Sequence, residues 1–266
     1  MNYEMLYKLC ENPTNTINKL PLNPNDFFYF LFPGKLNENF YTYDKNEYKE
    51  KRNVLLSVFG DSGAEILHNI GMAFALKYES KKKFYTEPNS CFKYIDDIYK
   101  EILKLPMEIL TKSIGVGYTG VVFPYQDKKV VKLMFNTLIE NEIKFLSFQK
   151  KNRRVLFPEI YEYTKDFIVM EKLETKSRKL LKIREEIQKC IVQKTICEVS
   201  YREVNPKFMN CLSFELEKLI QDIRKEFVDI FKISSIGDLK GSNIGERLST
   251  GEIVYFDPIG VLIKES

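Results

Sequence analysis

One segment of this chain sets an aspartate, a lysine and an asparagine at D-x-K-x-x-N spacing: Asp238, Lys240 and Asn243 in GDLKGSNIG. A further aspartate, Asp257, follows 19 residues after Asp238 at the end of the strand-like run IVYFD. These residue types suit phosphoryl transfer. One carboxylate orients the attacking hydroxyl or accepts its proton, a lysine steadies the transferring group, and an amide oxygen with a second carboxylate holds magnesium. A polar turn and a strand-end aspartate would account for either segment taken alone. What weakens that plainer reading is the set of elements that precede them, in order.

Gly115, Gly117 and Gly120 form G-x-G-x-x-G, followed at once by Val121 and Val122. Without a Cβ, such a stretch can lie against phosphate oxygens with its N–H groups turned inward. A helix after the motif would suit a dinucleotide fold, whereas strand residues, as here, suit a hairpin flap over the phosphates of ATP. Lys132 lies 12 residues beyond Gly120 in the apolar run VVKL. A lysine embedded there needs an anionic partner, and a phosphate or a carboxylate would serve. The next segment offers Glu142, which precedes Phe145 and Leu146 on the face expected to pack toward a sheet. Glu140 is the alternative, because one sequence does not fix helix phase.

The elements that must position these groups follow from periodicity. KSIGVGYTGVVFPY and KKVVKLMF read as strands, TLIENEIKFLSFQKK as a helix, and FPEIYEYTKDFIVMEKL as two strands around the turn TKD. Residues from about Thr175 to Val199 and from Phe214 to Phe231 are charged and amphipathic, hence helical. The last stretch reads as a loop and a hairpin turning at Ser249-Thr250-Gly251. Before about Pro106 the chain reads as helices interrupted by polar, proline-bearing loops. One such helix begins near Asp61, with Asp61 or Ser62 as its cap and Ile66, Ile70 and Phe74 on one face. GDSG also surrounds the nucleophile of one serine protease class. His68, the sole histidine, lies six residues beyond Ser62 in the same helix and points away from it, so the cap reading stands.

Across its 266 residues the chain is 44% hydrophobic and 29% charged, as for an ordinary soluble protein. The net charge of +4, from 41 basic and 37 acidic residues, implies neither a nucleic-acid nor a membrane partner. The basic run KSRKLLKIREEIQK includes Glu185 and Glu186 and reads as a solvated helix face rather than a nucleic-acid surface. Five scattered cysteines without a C-x-x-C pair indicate neither a disulfide framework nor a zinc site, and Cys190 and Cys197 read as a buried stripe. With no apolar signal core and no run of about 18 apolar residues, a cytoplasmic protein without a membrane span is expected.

From about residue 112 to residue 262 the chain resembles the eukaryotic-type protein kinase superfamily. The resemblance implies an α+β, bilobal fold, with a small antiparallel N-lobe over residues 111–173 and a reduced helical C-lobe over residues 174–266. A mainly helical region, residues 1–110, carries no resemblance and precedes them. The resemblance also implies roles. Gly115, Gly117, Gly120 and Val122 would cover the nucleotide, Lys132 would bind its phosphates, and Glu142 would pair with Lys132. Met170 would be the gatekeeper, and Glu171 to Leu173 the hinge that meets adenine. Asp238 would be the catalytic aspartate with Lys240 beside it, and Asn243 and Asp257 would hold Mg2+.

The departures are informative. The family's His-Arg before the catalytic aspartate is Ile236-Gly237 here, Asp-Phe-Gly is Asp257-Pro258-Ile259, and the sequence ends at Ser266. No activation loop is therefore expected. Minimal kinases of this kind resemble those of bacteriophages and of bacterial effectors. The position of Lys240 favours a serine/threonine protein kinase that uses ATP and magnesium on host proteins or itself. Two other readings stand beside it. The Gly-Asp-Leu opening is similar to that of small-molecule, aminoglycoside-type phosphotransferases, and loss of the substrate lobe would suit a pseudokinase that only binds.

Overall fold

The computed structural model describes residues 1–11, 15–32, 35–37, 40–42, 45–78, 92–117, 119–138, 140–192, 217–219, 221–222, 225–226 and 243–256. Helices and antiparallel sheets share this chain, an α+β architecture. Two compact units divide it: residues 1–138 with 164–168, and residues 139–163 with 169–266.

The first unit opens with short, capped helices. Asn2 accepts a hydrogen bond from the Met5 amide at 2.9 Å and starts α1 (Tyr3–Leu9). Asn23 does the same for Asp26 at 2.9 Å and starts α2 (Pro24–Leu31), whose first-turn proline lacks the N–H that would have no helical acceptor. A hairpin of β1 (Lys35–Asn37) and β2 (Phe40–Thr42) follows, and then α3 (Lys45–Tyr78). The sequence reading starts this helix near Asp61 and leaves the stretch before it as loop. In the structure that stretch is helical as well, and the break falls at Gly60, where φ is +71°. The run NEYKEKRN contains helix formers but no apolar stripe, so periodicity could not reveal it. Asp61 instead receives an ion pair from Arg52.

Ile66, Ile70 and Phe74 are buried, as their spacing indicates. Gly71 lets α2 approach closely, since a Cβ there would meet the Leu31 side chain at 2.5 Å. The His68 ring stands edge-on to Phe30 and Ser62 is exposed. Burial holds the imidazole below its ordinary pKa, against a hydrogen bond with the Leu31 backbone. This is a packed histidine rather than a base beside a nucleophile. Ile95, Ile98 and Ile102 form the buried stripe of α4 (Ile95–Leu103), and α5 (Ile109–Lys112) leads into the sheet.

That sheet has the order β3-β4-β5-β7-β6, built from β3 (Gly115–Val116), β4 (Gly120–Pro124), β5 (Lys129–Met134), β6 (Ile160–Tyr163) and β7 (Phe167–Glu171). Phe74 of α3 packs edge-on against Phe135 at the end of β5, so the N-terminal helices share one core with the glycine-bearing strands. In the second unit, α6 (Glu140–Asn152) and α7 (Arg178–Val192) accompany a three-stranded sheet of order β10-β9-β8, made of β8 (Leu173–Glu174), β9 (Ile244–Arg247) and β10 (Ile253–Tyr255). The hairpin between β9 and β10 turns where expected, with Gly251 at φ +72°, a conformation other side chains resist. Among the described residues no helix is long and apolar enough to cross a membrane.

Candidate functional site

In the first unit the glycine motif forms a hairpin. Gly115 pairs with Val122 and Val116 with Val121, and the Gly117 amide donates to the Gly120 carbonyl at 2.9 Å. The three glycines have different reasons to be glycine. A Cβ on Gly120 would lie 2.3 Å from the Leu133 carbonyl oxygen and 3.3 Å from the Lys132 Cγ, so sheet packing excludes any side chain there. A Cβ on Gly117 would meet nothing within 4 Å, and on Gly115 only Val122 at ordinary contact. Packing thus explains Gly120 but leaves Gly117 unexplained. From the other side, Asn69 of α3 donates its side-chain amide to the Val116 carbonyl at 3.4 Å.

Register sets Lys132 directly opposite Val122 on the next strand. It is 7% exposed, between Val131 and Leu133, which are fully buried. An ammonium in such surroundings costs several kcal/mol, of the order of ~3 or more, unless anionic or polar groups meet it, and Lys132 does have an interaction partner.

The phase of α6, in the second unit, separates its two glutamates. Glu142 is 5% exposed and shares the inward side with Phe145 and Leu146. Glu140 is exposed and pairs with Lys144 at 2.7 Å one turn on, and that hydrogen bond holds its carboxyl below the ordinary range. Of the two candidates, the interior one is Glu142.

Also in the second unit, Met170 on β7 is 8% exposed and Leu173 on β8 lies over Gly245. A Cβ on Gly245 would sit 2.8 Å from the Leu173 Cβ, so a glycine is what lets β8 and β9 approach. Asn243 immediately precedes β9, and its carbonyl accepts the Phe256 amide at 2.9 Å. The open end of the β9–β10 hairpin therefore brings Asn243 next to the residue that precedes Asp257. Asp238, Lys240 and Asp257 themselves lie outside the described residues, as do Cys197 and most of residues 214–231.

One group was missed by sequence reasoning. Arg247 of β9 forks onto the Glu171 carboxylate, with Nη2 to Oε1 at 2.8 Å and Nε to Oε1 at 3.0 Å, and its Nη1 reaches Glu252 at 2.9 Å. Both Arg247 and Glu171 are nearly buried, with side chains 14% and 13% exposed. These carboxylates raise the guanidinium pKa against the opposing effect of burial. Glu252, across the turn from Arg247, was the one signal in the sequence; Glu171 is too distant along the chain to suggest itself. No protein-family model matches this chain, and no curated protein or solved structure matches it.

Proposed function

We propose that this protein is an ATP- and Mg2+-dependent phosphotransferase, acting as a serine/threonine protein kinase on host proteins or on itself. The observation that carries the reading is the β4–β5 hairpin, which joins the glycine turn to a buried lysine two register pairs beyond Gly120. Gly117 supports it, because no packing demand explains a glycine at the tip.

In this reading the kinase-like lobes occupy residues 111–173 and 174–266. The hairpin lies over the nucleotide, Lys132 neutralises phosphate oxygens, and Glu142 keeps that lysine oriented. Met170 and the segment Glu171 to Leu173 line the adenine side. Asp238 orients the attacking hydroxyl, Lys240 balances charge on the transferring group, and Asn243 and Asp257 hold the metal. Magnesium supplies charge neutralisation of the phosphates.

Incubation with Mg2+ and γ-labelled ATP, alone and with bacterial lysate, tests the proposal. Label on the chain or on a lysate protein should fall by about a hundredfold or more in Lys132→Met and in Asp257→Ala. Gly117→Val sharpens the test. It should leave thermal stability within about 0.5 kcal/mol of the parent while weakening ATP-dependent labelling. Wild-type protein that takes up no label and shows no Mg2+-dependent thermal shift with ATP would sink the enzyme reading. Labelled metabolites without labelled protein would convert it to a small-molecule phosphotransferase.

A further inference from the structure

Resting on the phosphotransferase reading, we propose that Arg247 is a positioning residue that registers the metal-holding end of the β9–β10 hairpin against the strand that meets adenine. Its guanidinium makes six hydrogen bonds. Nε donates to both Glu171 oxygens at 3.0 and 3.2 Å, and Nη2 donates to Glu171 Oε1 at 2.8 Å and to the Phe157 carbonyl at 3.1 Å. Nη1 donates to the Val155 carbonyl at 3.2 Å and to Glu252 Oε2 at 2.9 Å. An arginine has five N–H groups in a fixed fork, so this set saturates it and fixes its plane.

The partners are informative. Glu171 ends β7, and its own amide donates to the Glu159 carbonyl at 3.0 Å, so the carboxylate is carried on an anchored strand. Val155 and Phe157 flank Leu156, whose carbonyl accepts the Tyr255 amide of β10 at 2.8 Å. One short loop is thus gripped by both strands of the hairpin. The loop is itself held from behind by Gln149, which is 1% exposed and donates to the Arg154, Phe157 and Pro158 carbonyls at 2.9, 3.3 and 3.1 Å.

Arg247 is four residues from Asn243, about 13 Å along a strand, too far to touch a metal there. It acts through the hairpin. Asn243 and Phe256 hold each other at the open end, whereas Arg247 decides where that end sits relative to β7. Lysine cannot replace it, since a single ammonium cannot reach two carboxylates and two carbonyls in one plane.

The test uses the full chain and the variants Arg247→Met, Arg247→Lys and Glu171→Gln. Each is read for the Mg2+ concentration that half-saturates the ATP-induced thermal shift and, separately, for ADP binding without metal. Arg247→Met should raise the Mg2+ requirement about tenfold, as supporting residues around a metal site do. Arg247→Lys and Glu171→Gln should fall between it and the parent in Mg2+ requirement, and metal-free ADP binding should stay within about twofold in the two arginine variants. Variants that melt earlier but need no more Mg2+ than the parent would overturn the proposal and leave Arg247 a brace of the sheet. Failure of all three variants to fold would overturn it equally. A parent protein with no Mg2+-dependent response to ATP overturns the phosphotransferase reading together with this one, and the parent control separates the two failures.

Discussion

Two hairpins carry the two halves of the proposed chemistry, and different forces fasten them. The β4–β5 hairpin is held by apolar burial: Val121, Val131 and Leu133 are fully buried and Phe123 is 1% exposed. Its one tight spot, Gly120 over the Leu133 carbonyl, is steric. The β9–β10 hairpin also buries Ile244, Val254 and Tyr255, but its placement comes from ions. Arg247 binds Glu171 and Glu252, Ser177 donates to Glu246, and Arg184 donates to the Ile244 carbonyl at 3.1 Å. Apolar burial is insensitive to pH and screening, whereas the exposed Glu252 carboxylate in its pair with Arg247 responds to both. The β4–β5 hairpin is therefore built as a fixed frame and the β9–β10 hairpin as one whose placement solution conditions can alter.

The largest effect expected on the apolar side is that of Gly120→Val. With backbone atoms of Leu133 in the way, the sheet must part, at a cost above about 3 kcal/mol, readable as a lowered urea midpoint. Loss of less than about 1 kcal/mol would mean that the frame is looser than its packing indicates. On the polar side, Gln149→Leu should cost about 2–3 kcal/mol, because it strips donors from three carbonyls and an acceptor from the Arg154 amide.

Acid should then separate the two hairpins. The Thr250 hydroxyl, and after it Arg247, hold the Glu252 carboxyl below its ordinary range. A carboxyl depressed in the folded state contributes stability above its unfolded pKa and loses it as pH falls through the folded value. Amide protection at Ile253 to Tyr255 should accordingly fall between about pH 5 and pH 3 while that at Val121 to Leu133 holds. Equal losses in both hairpins would erase the contrast between them. The smallest effect belongs to His68. Burial depresses its imidazole, so the unfolded chain takes up the proton first and stability declines as pH drops below about 6.5. As the only histidine it gives a single imidazole titration by NMR, whose midpoint should lie below that of a free peptide. His68→Phe should remove the decline.

Strand alternation and the glycine turn made β3 to β7 legible in the sequence, because each is a local pattern. The phase of α6 was not, since Glu140 and Glu142 both suit its first turn, and only packing puts Glu142 inside. The Arg247–Glu171 pair joins residues 76 apart, and nothing in either segment names the other. The helical start of α3 was hidden for a different reason: residues 45–54 carry many charges without a periodic apolar face, and their helix is supported by contacts such as Lys51 with Asp26 at 3.0 Å. The glycine spacing marks Gly120 as a phosphate-binding residue when packing alone already requires it, and Gly117 is the one whose meaning is functional in the proposed reading.

The first unit is interleaved with the second: residues 164–168 complete it, yet residues 139–163 are synthesised before them and belong elsewhere. Until residues 164–168 emerge, the Met134 amide lacks the Asp166 carbonyl and the Leu138 amide lacks that of Lys165, each an acceptor at 2.8 Å in the finished protein. During that interval the end of β5 is an open strand edge, the kind of surface on which another nascent chain can template. A gene fragment cut at residue 138 would make that interval permanent, so the helical region with its glycine hairpin should aggregate when produced alone and remain dispersed when residues 139–168 are restored.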